Sequence, residues 1–468
     1  MIDRKQIEEY IDSHVKEMVE DIFALCRINS EKMQAEEGKP FGAGAAQALD
    51  SALEMAKGYG FVTRNYDNYV GAVDFNDKEK QLDILAHLDV VPAGEGWQIT
   101  KPFEPVLKDG RLYGRGTADD KGPAVAALYA MRAVKELGIP LQKNVRLILG
   151  TDEECGSSDI KHYYGIEEEA PMTFSPDGEF PVINVEKGRM EAHFTGNFKA
   201  GKGSAKLVSL DAGIKVNVVP AKAHAVVEGV EREVLESIAK TIEKETEIHF
   251  LFSENGMQTI ITAEGQNAHA AHPEGGNNAL TGLLTYITRL PLADCQQTAC
   301  LKSLLGLIPH GDLYGKAMGI AMEDEISGKL TLAFSMLKVR EDSLEGMFDS
   351  RCPICATEEN VLQVVKKQME AIGVTLHDDG MKPPHHVDGS SHFVQTLLKA
   401  YEAYTGRKGE CQYTGGGTYV HDLKNGVAFG AAMPGTDNHM HGADEFAVLE
   451  ELVISAKIFA QVIVELCS

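Results

Sequence analysis

The spacing of apolar and polar residues predicts alternating helices and strands in the first part of the chain. Apolar side chains recur every three or four positions over residues 5–27, which is the period of a helix with one buried face. Apolar runs at 82–88 and 144–150 indicate buried strands, and the segment 122–137 between them indicates a helix. We therefore expect an α/β domain whose mixed, twisted sheet is covered by helices on both faces.

The pattern changes near residue 186 and changes back near residue 385. Strand-like alternation at 189–194 and a helical pattern at 232–244 are typical of an antiparallel α+β domain. We therefore predict a first domain made of 1–185 plus 385–468. A second domain, 186–384, is inserted into it.

The composition is that of an ordinary globular protein with a strong acidic excess. Hydrophobic residues make up 43% and charged residues 25% of the 468 residues, and the net charge is −25. Nucleic acids and anionic membranes need a basic surface, so neither is an expected partner. The chain has no apolar stretch near the roughly 18 residues of a membrane-spanning helix, and its start lacks the apolar core of a signal peptide. We expect a cytoplasmic enzyme whose eight cysteines are free thiols.

Histidine and acidic residues follow several of the predicted strands. In open α/β sheets, ligands bind beyond the carboxyl ends of the strands. Each of these residues alone could cap a helix or face solvent. Together they offer the nitrogen and carboxylate ligands that zinc prefers, and a carboxylate can bridge two ions. The sequence thus predicts a metal site with these candidate ligands: His87, Asp119, Glu153 or Glu154, Asp177, and His439 or His441.

The segments around these residues resemble a known enzyme family. The segments are His87-Leu88-Asp89, Gly114-Arg115-Gly116 with Asp119-Asp120-Lys121-Gly122-Pro123, Asp152-Glu153-Glu154 and Pro176-Asp177-Gly178-Glu179. Over nearly the whole chain they resemble the dinuclear zinc family of aminoacylases, carboxypeptidases G, carnosinases and bacterial dipeptidases, in particular the PepV-type dipeptidases. The resemblance implies a zinc-peptidase-like catalytic domain interrupted by an inserted lid domain.

The resemblance also implies a ligand set for two Zn²⁺ ions per chain. His87 and Asp177 would hold one ion, Glu154 and His441 the other, and Asp119 would bridge them. The same donors accept Mn²⁺ or Co²⁺.

The choice of His441 over His439 depends on one spacing. The family has a glutamate four residues after this ligand, and Glu445 lies four residues after His441.

Two further acids take catalytic roles by the same resemblance. Glu153 would be the general base that acts on a zinc-activated water. Asp89 would orient the ring of His87 through its other nitrogen. The family also implies a cis peptide bond between Asp119 and Asp120.

The inserted domain would supply residues from the lid. His269, in the segment 265–273, matches the family histidine that stabilises the tetrahedral intermediate, although this segment could also cap the helix that follows it. Asn217 matches a substrate contact. Arg351 matches the arginine that binds the substrate carboxylate, with Arg340 as the rival.

The glycine-rich turn at 414–419 completes the candidate site. The resemblance implies that Gly416, Gly417 and Thr418 line the substrate site with backbone groups. The alternatives are a tight turn before Val420 or a phosphate loop, but the chain has no Walker lysine motif.

The substrate expectation is a small peptide with both termini free. In the family, aspartate at the position of Asp177 goes with peptidases that act on a free amino terminus, and Arg351 suits a nearby carboxylate. We expect a broad-specificity dipeptidase, with β-alanyl and D-residue dipeptides among the candidate substrates. The alternatives are an N-acyl amino acid deacylase similar to a desuccinylase, and a non-catalytic metal-dependent binding protein. We favour a monomer over a dimer, because a long insertion can supply the lid histidine within one chain.

Overall fold

The computed structural model describes residues 4–199, 201–377 and 380–468. The α-helices are α1 (Arg4–Cys26), α2 (Ala43–Gly58), α3 (Lys121–Glu136), α4 (Ser158–Tyr164), α5 (Arg232–Thr246), α6 (Ala279–Ile287), α7 (Gln296–Leu307), α8 (Gln363–Ala371), α9 (His392–Thr405) and α10 (Leu449–Cys467). Shorter helical turns are Glu153–Cys155, Pro273–Gly275, Glu358–Leu362 and Tyr419–Asp422.

The strands are β1 (Val62–Tyr66), β2 (Val70–Asp74), β3 (Lys80–His87), β4 (Val106–Lys108), β5 (Arg111–Tyr113), β6 (Asn144–Gly150), β7 (Met172–Ser175), β8 (Val182–Glu186), β9 (Gly188–Asn197), β10 (Lys206–Ala212), β11 (Val218–Val219), β12 (Lys222–Glu228), β13 (His249–Asn255), β14 (Gln258–Glu264), β15 (Ala268–His269), β16 (Glu323–Asp324), β17 (Gly328–Lys329), β18 (Thr331–Val339), β19 (Ser343–Cys352), β20 (Thr375–His377), β21 (His385–His386), β22 (Cys411–Thr414), β23 (Gly426–Ala428) and β24 (Phe446–Val448).

The chain forms two compact units. The first contains Met1–Val185, His386–Tyr413 and Gly417–Ser468, and the second contains Glu186–His385 with Thr414–Gly416. Each unit has its own large hydrophobic core. The short piece Thr414–Gly416 belongs to the second unit although the predicted division placed it in the first domain.

The first unit contains a mixed sheet with the strand order β1-β2-β6-β3-β7-β23-β8. Strands β6, β3, β7 and β23 run parallel to one another, whereas β1 pairs with β2, β2 with β6 and β8 with β23 in the antiparallel sense. Side chains along a strand alternate between the two faces of a sheet. Ile84 and Ala86 of β3 therefore join a core shared with α1, α2, α3 and α10, and Leu85 between them joins a smaller core shared with α4. The predicted α/β architecture with helices on both faces is confirmed.

The register of the parallel strands positions the candidate site. His87 at the end of β3 is aligned with Gly150 at the end of β6. The turn Glu153–Cys155 follows β6, and Asp177 follows the end of β7 two residues later. Parallel strands end at the same edge of a sheet, so this edge gathers the histidine and the acids.

The second unit contains an antiparallel sheet with the order β13-β14-β12-β10-β18-β19-β9-β20. Along β9, Met190, Ala192 and Phe194 point into the core, and the residues between them are partly or fully exposed. Alternation of this kind is expected of a sheet with one covered face. Helices α5 to α8 supply the rest of this core, so the α+β prediction for the inserted domain is confirmed. No helix in the described part of the chain has the length and apolar character that a membrane span requires.

Candidate metal centre

His87 is wholly buried at the end of β3, with both ring nitrogens in contact with acidic residues. Its Nε2 lies 2.9 Å from Oδ1 of Asp119 and 3.7 Å from Oδ2 of Asp177. Its Nδ1 lies 3.0 Å from the backbone carbonyl oxygen of Asp89 and 3.4 Å from Oδ1 of the same residue. Burial alone would lower the pKa of this imidazole, but the bonds to Asp119 and Asp89 raise it well above its ordinary value.

Asp119 lies between two imidazoles. Its Oδ1 contacts His87, and its Oδ2 lies 2.9 Å from Nε2 of His441. Burial opposes ionisation of this carboxyl, but the hydrogen bonds from the two histidines hold its pKa well below the ordinary value. The peptide bond between Asp119 and Asp120 is cis, as the family resemblance implied. One carboxylate that faces two imidazoles through separate oxygens has the geometry of a bridging ligand.

Glu153 and Glu154 occupy the short turn after β6. Oε1 of Glu154 lies 3.3 Å from Nε2 of His441. Burial, and then the charge of Asp177, raise the pKa of Glu153 well above its usual value. Burial also raises the pKa of Glu154, although its bond with His441 opposes this.

The carboxylate of Asp89 holds this turn. It accepts the backbone N–H groups of Glu153 at 3.2 Å and of Glu154 at 3.1 Å. The family resemblance implied that this carboxylate orients the ring of His87, but the closer acceptor for Nδ1 of that ring is the backbone carbonyl oxygen of Asp89, at 3.0 Å against 3.4 Å for Oδ1. Asp89 therefore contacts both the histidine and the acidic turn.

The ligating atoms form two overlapping groups. Those of His87, Asp119 and Glu154 all lie within 4.8 Å of one another, and so do those of His87, Glu153 and Asp177. Burial and the charge of Asp119 raise the pKa of Asp177 to about 7. Buried carboxylates at such spacing repel one another unless cations offset their charge. Imidazole nitrogens and carboxylate oxygens are ligands of Zn²⁺, Mn²⁺ and Co²⁺, so the residues present fit two divalent cations.

The two C-terminal histidines occupy different surroundings. His441 contacts Asp119 and Glu154, although 56% of its side chain is exposed. His439 is exposed, and its ring packs 5.6 Å from the ring of Phe446. The structure thus brings His441 into the cluster, in agreement with the choice made from the position of Glu445.

The buried pair Arg115–Glu445 connects two parts of the centre that are remote in the sequence. Oε1 of Glu445 accepts three backbone N–H groups from the loop 116–119, at 3.0, 3.1 and 3.3 Å. Its Oε2 pairs with Arg115, which also donates to the backbone carbonyl of Gly442 at 3.1 Å. The pair therefore ties the loop that carries Asp119 to the segment that carries His441. In the sequence, Glu445 stands out only by its spacing from His441, because a partner 330 residues away leaves no local signal.

Two of the predicted lid residues lie side by side in the second unit. His269 is in β15, which pairs with β11, and Asn217 directly precedes β11. The backbone carbonyl of Asn217 accepts the N–H of Ala270 at 2.9 Å. His269 is exposed, and its Nδ1 accepts the N–H of Ala271 at 3.2 Å.

The two candidate arginines differ in burial. Arg351, in β19, is buried and makes two 2.7 Å bonds to the carboxylate of Asp349. Its Nη1 donates to the carbonyl of Gly415 at 2.6 Å, so it contacts the glycine-rich turn. Arg340 is half-exposed and pairs with Asp211.

The glycine-rich turn is held by its threonines. The N–H of Gly416 donates to the hydroxyl of Thr414 at 3.0 Å. After Gly417, the hydroxyl of Thr418 accepts the N–H of Val420 at 3.4 Å and caps the turn Tyr419–Asp422. Thr418 thus behaves as the tight-turn alternative predicts.

The sequence matches peptidase family M20/M25/M40 over residues 84–465. YtjP of Bacillus subtilis (strain 168) is 36% identical over 459 residues, which cover 96% of this chain and 97% of that protein. The Beta-Ala-Xaa dipeptidase of Lactobacillus delbrueckii subsp. lactis is 35% identical over 464 residues, or 98% of each chain. The chain belongs to peptidase family M20/M25/M40.

Solved structures show the same fold at low sequence identity. Human carnosine dipeptidase 1 superposes with a TM-score of 0.62 at 15% identity, over 100% of this chain and 99% of that one. The di-peptidase Dug1p from Saccharomyces cerevisiae gives 0.58 at 14% identity, over 99% of each chain.

Proposed function

We propose that this chain is a metal-dependent dipeptidase that hydrolyses dipeptides with free amino and carboxyl termini. The observation that carries the proposal is the position of Asp119, whose two carboxylate oxygens each lie 2.9 Å from a different imidazole. A carboxylate in this position suits the two-metal sites of hydrolytic enzymes. The name of the Lactobacillus relative, a Beta-Ala-Xaa dipeptidase, supports the substrate class.

The proposed ligands divide between two cations. His87, Asp119 and Asp177 would hold one, and Asp119, Glu154 and His441 would hold the other. When bound, such cations polarise a carbonyl group and lower the pKa of an attacking water. Zn²⁺ is the proposed metal, with Mn²⁺ and Co²⁺ as the alternatives that the same donors accept.

Glu153 is the proposed general base. One of its carboxylate oxygens lies within 4.8 Å of the ligating atoms of His87 and Asp177, but Glu153 is not among the proposed metal ligands. Its carboxylate would take a proton from the attacking water and return it to the leaving amine nitrogen. Asp89 would support this step, because its carboxylate holds the turn that carries Glu153.

The predicted lid residues would make the remaining substrate contacts. His269 would donate an N–H to the developing oxyanion, a contribution of about 3–4 kcal/mol in comparable sites. Asn217, beside it, would also bind the substrate. Arg351 would bind the substrate carboxylate, since its bonds to Asp349 and Gly415 engage only three of the five N–H donors of a guanidinium. Backbone groups of Gly416, Gly417 and Thr418 would line the site.

One assay tests the substrate class. The protein is stripped of metal, reconstituted with Zn²⁺, Mn²⁺ or Co²⁺, and incubated with dipeptides that include β-alanyl and D-residue members and with N-acyl amino acids. We expect release of free amino acids from the dipeptides. Cleavage of only the N-acyl substrates would make the chain a deacylase, and no cleavage with any metal would make it a binding protein. Sedimentation of the same sample tests our proposal that one chain is the active unit.

The variant Glu153→Ala tests the general base. We expect a loss of activity of about 10²- to 10⁴-fold with both metal ions retained, because a lost general base removes proton transfer and leaves the ligands in place. The Glu153→Gln variant, which keeps the size of the side chain, is the control and should be equally impaired. Full activity in either variant would exclude Glu153 as the base.

A further inference from the structure

The glycine-rich turn ends at a tyrosine that contacts the metal centre. Tyr419 is only 2% exposed. Its ring stands edge-on to the imidazole of His87, with the ring centroids 6.2 Å apart. Its hydroxyl donates to Oδ2 of Asp159. Burial and the nearby charge of Asp159 raise the pKa of the phenol well above its ordinary value, so this hydroxyl keeps its proton.

Asp159 in turn accepts hydrogen bonds from the backbone just before the acidic turn. This buried residue in α4 accepts, at the same Oδ2, the backbone N–H of Thr151 at 2.6 Å and that of Asp152 at 2.9 Å. These two residues directly precede Glu153. Burial raises the pKa of Asp159 to about 6, so the group is an ionised acceptor at neutral pH.

The contact between Tyr419 and Asp159 occupies the space beside Gly150, at the end of β6. Gly150 is aligned with His87 in the register of β3 and β6. A Cβ atom at position 150 would lie 2.0 Å from the hydroxyl of Tyr419 and 2.6 Å from Oδ2 of Asp159. The strand that leads into the acidic turn therefore ends in a residue without a side chain, and the hydroxyl and the carboxylate occupy the space.

We propose that Tyr419, acting through Asp159, is a positioning residue that holds the Glu153–Glu154 turn in place against His87. The inference rests on the metal centre of the proposed function. The Glu153–Glu154 turn is also held by Asp89, so loss of the tyrosine hydroxyl weakens the centre without destroying it.

The test compares two tyrosine-to-phenylalanine variants. Tyr419→Phe removes the hydroxyl that donates to Asp159. Tyr163→Phe is the matched control, because Tyr163 is buried in the same helix as Asp159 and, within the described residues, its hydroxyl has no hydrogen-bond partner. Metal-free protein is titrated with Co²⁺ against a competing chelator, and the visible spectrum of the bound Co²⁺ is recorded. The thermal unfolding midpoint of the metal-free variants measures general destabilisation.

We expect Tyr419→Phe to bind Co²⁺ about 10- to 100-fold more weakly than the wild type, the usual range for residues that orient metal ligands, and to change the Co²⁺ spectrum. Tyr163→Phe should match the wild type in Co²⁺ affinity and in the Co²⁺ spectrum. Asp159→Asn should resemble Tyr419→Phe. The double variant should be no worse than the more impaired single variant, because both changes break the same chain of contacts.

Unchanged Co²⁺ affinity and spectrum in Tyr419→Phe would overturn the inference, and so would an equal loss in Tyr163→Phe. Fully additive losses in the double variant would show that Tyr419 does not act through Asp159 and would also overturn it. Failure of the proposed function has a different signature, namely a wild-type chain that binds Co²⁺ but cleaves no dipeptide.

Discussion

The two histidines that flank Asp119 differ in burial and in the part of the structure that holds them. His87 ends a central parallel strand, is wholly buried, and has both ring nitrogens in contact with acidic residues. His441 lies in a loop with a positive φ of 61°, and 56% of its side chain is exposed. The register of the parallel strands fixes the backbone at the first position. The second depends on a buried ion pair, Arg115–Glu445, that joins its loop to the rest of the centre.

The largest expected effect comes from breaking that ion pair. Glu445→Ala leaves a buried guanidinium and three backbone N–H groups without their acceptor, and this should lower the free energy of unfolding by about 3–5 kcal/mol. Urea denaturation of the metal-free protein measures it. The control is Glu245→Ala, which breaks the exposed pair with Arg289 and should change stability little. An equally small effect at both positions would show that the loop of His441 does not depend on the pair.

The two histidines should also differ in chemical rescue. His87→Ala and His441→Ala should each lower activity at least about 100-fold, because each removes a proposed metal ligand. Added imidazole should restore part of the activity of His441→Ala, whose site is half-exposed, and none of that of His87→Ala, whose site is closed. Initial rates at increasing imidazole concentration test this. Equal rescue of both variants would contradict the difference in access.

Metal binding should depend on pH, because the metal-free site holds protons. Hydrogen bonds to Asp119 and Glu154 raise the pKa of His441 to about 10, so its imidazole is protonated at neutral pH. A ligand must lose this proton, and the apparent affinity should therefore rise about tenfold per pH unit for each proton released, up to that pKa. Calorimetry in two buffers of different ionisation enthalpy counts the protons. His441→Ala should release fewer, and an affinity that does not change between about pH 6 and about pH 9 would be contrary to this expectation.

The residues of the centre that lie at strand ends could be predicted from the sequence. The distant side chains that hold the centre in place could not. The apolar runs before His87 and Glu153 mark strand ends, and strand ends of a parallel sheet converge. Asp119, Asp177 and His441 followed from motifs. The sequence pattern did not reveal Arg115–Glu445 or Tyr419–Asp159, because these partners are 330 and 260 residues apart and each looks like an ordinary polar residue in its own segment.

The secondary structure could likewise be predicted only where the apolar residues recur with a clear period. Residues 5–27 have a clear helical period, and the structure confirms the predicted helix as α1. Helix α7 (Gln296–Leu307) was missed, because its apolar residues do not form a clear stripe.

In the proposed metal centre, one carboxylate, that of Asp119, would join two cations. The most direct test is the number of Zn²⁺ ions retained per chain by wild-type protein and by Asp119→Ala after reconstitution and dialysis, measured by atomic emission. We predict two ions in the wild type and at most one in the variant. A wild-type chain that retains no more than one ion, or a variant that retains two with unchanged affinity, would contradict the account.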